Sequence, residues 1–189
     1  MPAEGALRDR RGPDFHLIET MRCEPGAGVV RADRHLARLA RSAKTLGFVF
    51  DRDATAERLA TIESDAHLRL RLTLQPDGRL DLESVAFTPL PEDAVWRLAI
   101  ASTRLSSGDP LLVHKTSRRQ VYDAARAEFP RETTDEVLLL NERGEVCEGT
   151  ITNVFAAMPD GPLLTPPLAC GLLAGVLREE LVAPGKARE

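Results

Sequence analysis

"GEVCEGTITNVFAAM", residues 144–158, is the stretch on which the fold turns. A run of apolar and β-branched residues follows Glu148 almost at once, so a carboxylate stands at the mouth of a segment that reads as a buried strand. Burying an ionised carboxylate is costly unless a cationic group meets it. The residues before it, "EVLLLNERG", alternate into a turn at Arg143-Gly144, so 136–158 is expected to form strand, turn and strand. The question is which cation Glu148 meets.

Amines are scarce: Lys44, Lys115 and Lys186 are the only lysines. Lys115 sits in "LLVHKTSRRQ", between an apolar run and a helix start, with Arg118 and Arg119 close behind. Partial desolvation and neighbouring positive charge both disfavour an ammonium and favour a nucleophilic amine. Taken alone, Lys115 reads as a surface lysine in a loop and Glu148 as a solvated, turn-flanking glutamate. It is their combination that carries weight.

Outward from these segments, "FHLIETMRC" (15–23) reads as a strand and "EPGAG" (24–28) as a turn. "DRHLARLARSAKTLG" (33–47) is the clearest helix, with Asp33 as N-cap, Gly47 as stop and an apolar stripe of Leu36, Leu39, Ala40, Ala43 and Leu46. A second helix is expected over 54–62. "HLRLRLTLQPDGRLDLESVAF" (67–87) alternates on both sides of Pro76-Asp77-Gly78 and predicts a hairpin. "PLPED" (89–93) reads as a linker. Beyond it the pattern predicts a strand at 95–101, a helix at 117–129 beginning from Ser117, and a last helix at 172–182. Residues 1–14 read as a disordered leader, 15–90 as a small N-terminal domain and 91–189 as a larger one, an α+β arrangement.

The chain of 189 residues can bury a sizeable core, and 43% hydrophobic with 29% charged residues is ordinary for a globular protein. A net charge of −4 gives no basic field for nucleic acid. The apolar stretch 163–177 is too short to span a bilayer and is broken by Pro166, Pro167, Gly171 and Gly175. Cys23, Cys147 and Cys170 lack metal-type spacing and read as reduced thiols. His16, His35, His67 and His114 show no ligand spacing either, so no metal site is expected, and the expected location is cytoplasmic.

"EGTITNVF" (148–155), "LLT" (163–165) and "LLAGVLR" (172–178) together resemble the signature of the class IV aminotransferases, the fold-type IV pyridoxal-phosphate enzymes whose fold is D-amino acid aminotransferase-like. "HKTSRRQVYDAAR" (114–126) looks like the family's lysine segment, and "DRHLARLARSAKTLGF" (33–48) is similar to its His-x-x-Arg-Leu helix. The resemblance implies pyridoxal 5'-phosphate as cofactor, with Lys115 as the residue that carries it covalently. It also implies that Glu148 pairs with the ring nitrogen, Asn153 supports the site, and Arg38 and the backbone amides of Val176 and Leu177 hold the phosphate. His35 and His114 then read as structural neighbours. Within the family, "FHLIETMRCEPGAG" and "RLSSGDPLLVHKTSRR" look most like aminodeoxychorismate lyase-like domains, which places Arg104 near a substrate carboxylate.

The activity implied by this resemblance is that of a lyase giving 4-aminobenzoate and pyruvate for folate biosynthesis, acting on a small-molecule amine. A homodimer and a cofactor cleft between the domains are also implied. Two alternatives stand beside it: a branched-chain or D-amino-acid transaminase, and an inactive remnant serving as a binding domain. The chain departs from the pattern at Gln120, where transaminases often have tyrosine, and at Leu177, where many members have threonine. It ends at Glu189, before the further strands of the family, so the larger domain is expected to be truncated.

Overall fold

The computed structural model describes residues 14–189; the leader expectation for 1–14 falls almost wholly outside them. Contacts divide the described residues into two units, one through Ala86 and one from Phe87 onward, each with its own apolar core. No helix among the described residues is long and apolar enough to cross a membrane.

The first unit runs β1 (Leu17–Glu24), β2 (Gly28–Val29), α1 (Ala32–Leu46), α2 (Arg52–Ala60), β3 (Leu68–Leu74) and β4 (Leu80–Ala86). The strands form one antiparallel sheet in the order β2-β1-β3-β4. The period-two pattern sets the register: Leu17 opposes Leu74 and Met21 opposes Leu70, all buried on the face covered by the helices. α1 contributes Leu36, Leu39 and Ala43 to that core and stops at Gly47, whose φ of 76° places it in the left-handed region glycine tolerates.

Asp33 is not the N-cap of this helix. Arg31 holds that position at φ 57° without a side-chain cap, and Asp33 lies in the first turn, exposed and paired with Arg52. α2 begins two residues before the expected point, because the Asp51 side chain accepts from the Ala54 amide and caps it.

The second unit runs β5 (Leu98–Leu105), α3 (Gln120–Ala127), β6 (Glu136–Asn141), β7 (Val146–Gly149), β8 (Leu163–Leu164), α4 (Val176–Val182) and β9 (Ala187–Arg188). β5 and β6 are parallel, β6 and β7 antiparallel, and α3 packs on β5 and β6. Ala101, Leu105, Leu112, Tyr122, Ala125, Val137, Leu139, Cys147 and Leu172 are buried among its core residues.

Several boundaries in this unit differ from the sequence reading. β5 begins at Leu98 rather than 95, where pairing with Glu136 begins and Arg97 forks onto Asp135 at 2.9 and 3.0 Å. α3 begins at Gln120 because Thr116 Oγ1 accepts from the Arg118 amide and holds the chain in a turn. β7 ends at Gly149, so the strand expected to run to 158 lies before and at Glu148, not after it. α4 begins at Val176 instead of 172.

Candidate active site

The local structure around Glu148 follows from a second carboxylate that the sequence reading passed over. Glu136 opens β6, is buried, and gathers the turn that follows β7. Its Oε1 accepts from the Val137 amide at 2.8 Å, the Thr150 amide at 3.1 Å and the Thr150 hydroxyl at 2.6 Å. Its Oε2 accepts from the Ile151 amide at 3.1 Å and the Thr152 hydroxyl at 3.0 Å. Burial pushes the Glu136 carboxyl up, but these donors outweigh it and leave the group below its usual range. The turn is tight: a Cβ on Gly149 would fall 2.4 Å from Thr152 Oγ1 and 2.8 Å from Glu136 Oε2.

This turn leaves Glu148 as the penultimate residue of β7, paired with Leu139 of β6 and 3% exposed. The Tyr122 hydroxyl donates to Glu148 Oε1 at 2.7 Å, and Asn153 Nδ2 lies 3.4 Å from Oε2. Burial pushes the Glu148 carboxyl up to about 7, against the Tyr122 hydroxyl, the Leu173 amide and the attraction of Lys115 and Arg119. The same burial, with the Glu148 charge, pushes the Tyr122 phenol far up, so it is a permanent donor. Lys115 and Arg119 are therefore the cations near Glu148, and they do not cancel the cost of its burial.

Asn153 is fixed from a different direction. Its Nδ2 donates to the Leu173 carbonyl at 3.1 Å, and Gly175 comes so close that a Cβ there would sit 1.7 Å from Asn153 Oδ1. Arg119 binds the far side of the turn, donating from Nη2 to the Thr150 carbonyl at 2.6 Å, with its guanidinium carbon 5.0 Å from the centre of the Tyr122 ring.

Lys115, Glu148 and Asn153, far apart in sequence, line one cavity of about 310 Å³, a size suited to a small molecule. Thr150, Thr152, Arg118, Arg119 and Tyr122 line it too. Lys115, Arg118 and Arg119 face Asp109 and the incompletely ionised Glu148 across this lining, which favours an anionic ligand. The donor set fits a phosphorylated pyridine aldehyde: an amine for the aldehyde, a buried carboxyl near pH 7 for a ring nitrogen, and hydroxyls and guanidinium groups for a phosphate.

The other expected site residues lie elsewhere. Val176 and Leu177 open α4, directly after the Gly175 that touches Asn153, and are not part of the lining. Arg104, on β5, folds its Nη1 back onto the carbonyls of Ala101, Ser102 at 3.0 Å and Thr103 at 3.3 Å. Arg38 belongs to the first unit, where it is buried on α1 and donates from Nε and Nη2 to Glu19 at 2.9 and 2.6 Å. His35, one turn earlier, brings Nδ1 within 2.7 Å of the same carboxylate.

Tyr122 and Glu136 were not singled out from the sequence, and Arg119 was read only as positive charge close to Lys115. Tyr122 left one signal: it is the only tyrosine of the chain, placed on the apolar stripe of its helix with Val121 and Ala125. A buried phenol requires a hydrogen-bond partner.

The profile of the family described as amino-transferase class IV matches residues 16–188. A Schizosaccharomyces pombe protein named "Putative aminodeoxychorismate lyase" is 31% identical over 160 residues, covering 82% of this chain and 68% of that protein. A Thermotoga maritima protein named "Probable branched-chain-amino-acid aminotransferase" is 32% identical over 186 residues, covering 92% of this chain and 64% of that one. The chain thus spans about two thirds of the length of these curated relatives. Among solved structures, a "Putative amino-acid aminotransferase" from Mesorhizobium loti superposes with a TM-score of 0.88 at 53% identity, over 93% of this chain and 86% of that one.

Proposed function

The chain belongs to the class IV aminotransferase family of pyridoxal-phosphate enzymes, and from that premise we propose that it cleaves 4-amino-4-deoxychorismate to 4-aminobenzoate and pyruvate. The observation that carries the reading is the meeting of Lys115 and Glu148 in one cation-rich cavity. Likeness to the fission-yeast lyase-named protein over 82% of the chain supports the choice of reaction.

When bound, pyridoxal phosphate supplies a ring that withdraws electrons from the carbon bearing the substrate amine. Lys115 would hold its aldehyde carbon, and its Nζ, when free, would be the base that takes the proton from the substrate's amine-bearing carbon. Glu148 holds a proton at the ring nitrogen, a task for which a carboxyl near 7 is suited. Hydroxyls and guanidinium groups of the lining, with the amides of Val176 and Leu177, would hold the phosphate, and Asn153 keeps Glu148 and the start of α4 in register. Arg104 meets a substrate carboxylate only after releasing its own strand's carbonyls, so its role belongs to the substrate-bound form. Loss of pyruvate leaves an aromatic product, which drives cleavage forward. A homodimer working in the cytoplasm is part of the same reading.

A transaminase acting on amino acids is the second reading, favoured by the 53% identity to the Mesorhizobium loti protein named as an amino-acid aminotransferase. The two separate in one assay. Incubation with aminodeoxychorismate and no keto acid should release pyruvate, and Lys115→Ala should abolish that release. Amine transfer to 2-oxoglutarate without pyruvate overturns the lyase in favour of the transaminase. If borohydride treatment with the cofactor leaves no added mass on the Lys115 peptide, both enzymatic readings fall.

A further inference from the structure

The strongest contact to the buried Glu148 side chain comes from a residue that no part of the proposed reaction uses. Tyr122 lies on α3, 9% exposed, with its ring among Ala125, Leu139 and Cys147 in the core of the second unit. Its hydroxyl reaches Glu148 Oε1 at 2.7 Å, and Arg119 sits 5.0 Å from the ring centre while binding the Thr150 carbonyl. Arg119, three residues before Tyr122, thus joins the helix to the turn after β7, and Tyr122 joins the same helix to β7 itself.

We propose that Tyr122 is a positioning residue for Glu148: its hydroxyl fixes Oε1 and favours the carboxylate form, against a wall that favours the protonated one. The inference rests on the proposed cofactor role of Glu148, but the contact exists without any cofactor.

The neighbours define what Tyr122 must do. Lys115 and Arg119 attract a negative Glu148, and the Leu173 amide donates to it. Cys147, beside it in the chain, is a buried thiol with its own proton held up to about 12. Asn153, at 3.4 Å, is a long contact. The Tyr122 hydroxyl is the short donor from a side chain, and a hydrogen bond to a charged acceptor is stronger than one between neutral groups.

The test is a pH titration of the unliganded protein carrying ¹³C at the glutamate carboxyl carbon, with the Glu148 resonance identified by its loss in Glu148→Gln. Tyr122→Phe retains the ring and removes the hydroxyl; the Glu148 midpoint should rise by about one pH unit, a tenfold gain in proton affinity. Because Tyr122 is the only tyrosine, growth on 3-fluorotyrosine changes this phenol alone. The more acidic hydroxyl should move the midpoint down, in a protein whose packing is scarcely altered. A midpoint that neither change moves overturns the proposal, whatever the activity of the variants. If the midpoint moves as expected but borohydride leaves no cofactor on Lys115, the proposed function falls and this inference stands. Labelled Lys115 with an unmoved midpoint gives the reverse.

Discussion

Unliganded, Glu148 keeps its proton up to about pH 7, because burial outweighs the Tyr122 hydroxyl, the Leu173 amide and the two nearby cations. A carboxyl whose folded pKa lies above the unfolded value of 4.5 binds more protons folded than unfolded in that interval. Stability therefore falls as pH rises from about 4.5 to 7 and stays low beyond. Glu148→Gln should remove this slope and stabilise the cofactor-free protein at pH 8 by about 1–3 kcal/mol, as read from urea melts across pH. The same substitution should weaken any activity by at least tenfold, since a neutral amide does not hold a proton at a ring nitrogen. A variant no more stable than the parent at pH 8 refutes the buried-charge account. Lys115→Ala, tested by the pyruvate assay and the borohydride label, is the complementary prediction at this scale.

At the level of elements, the turn from β7 to Asn153 is built on Glu136, whose two oxygens receive five donors. Glu136→Ala leaves those amides and hydroxyls without a partner and should cost ~3 kcal/mol or more, seen as a lowered urea midpoint. The sign is opposite to that of Glu148: this carboxyl is held low, so its contribution is full above about 4.5 and is lost as pH falls through the folded value. Gly149→Ala drives a methyl into Thr152 and Glu136 and should cost ~2 kcal/mol while moving Thr150–Thr152 in the cavity wall. Unchanged stability and unchanged cofactor affinity in Gly149→Ala would show that the turn yields easily.

The hairpin at 67–87 was legible because alternation and the Pro76-Asp77-Gly78 turn are local signals. The start of α3 was not, because it turns on a contact between Thr116 and Arg118 that an apolar pattern does not register. Nor were the starts of β5 and α4, because they involve partners distant in sequence, Asp135 for Arg97 and Asn153 for Gly175. Tyr122 and Glu136 stayed hidden for the same reason: each acquires its meaning from a partner twelve or more positions away.

On the scale of the whole molecule, the family and its α+β fold were readable from a few fixed positions in the second half, together with the His-x-x-Arg-Leu helix of the first. What composition alone could not give is that each unit closes a core of its own, with Glu19 buried beneath α1 in one and Glu148 beneath α3 in the other. Each unit also encloses thiols: Cys23 in the first, and Cys147 and Cys170 in the second, all free and all buried. An alkylating reagent can reach them only during transient opening, so modification rates become a clock for each half separately. Peptide mapping of a time course under native conditions would then tell whether the halves breathe together or one at a time. Saturation with pyridoxal phosphate should slow the Cys147 signal, since that thiol adjoins Glu148 in the chain.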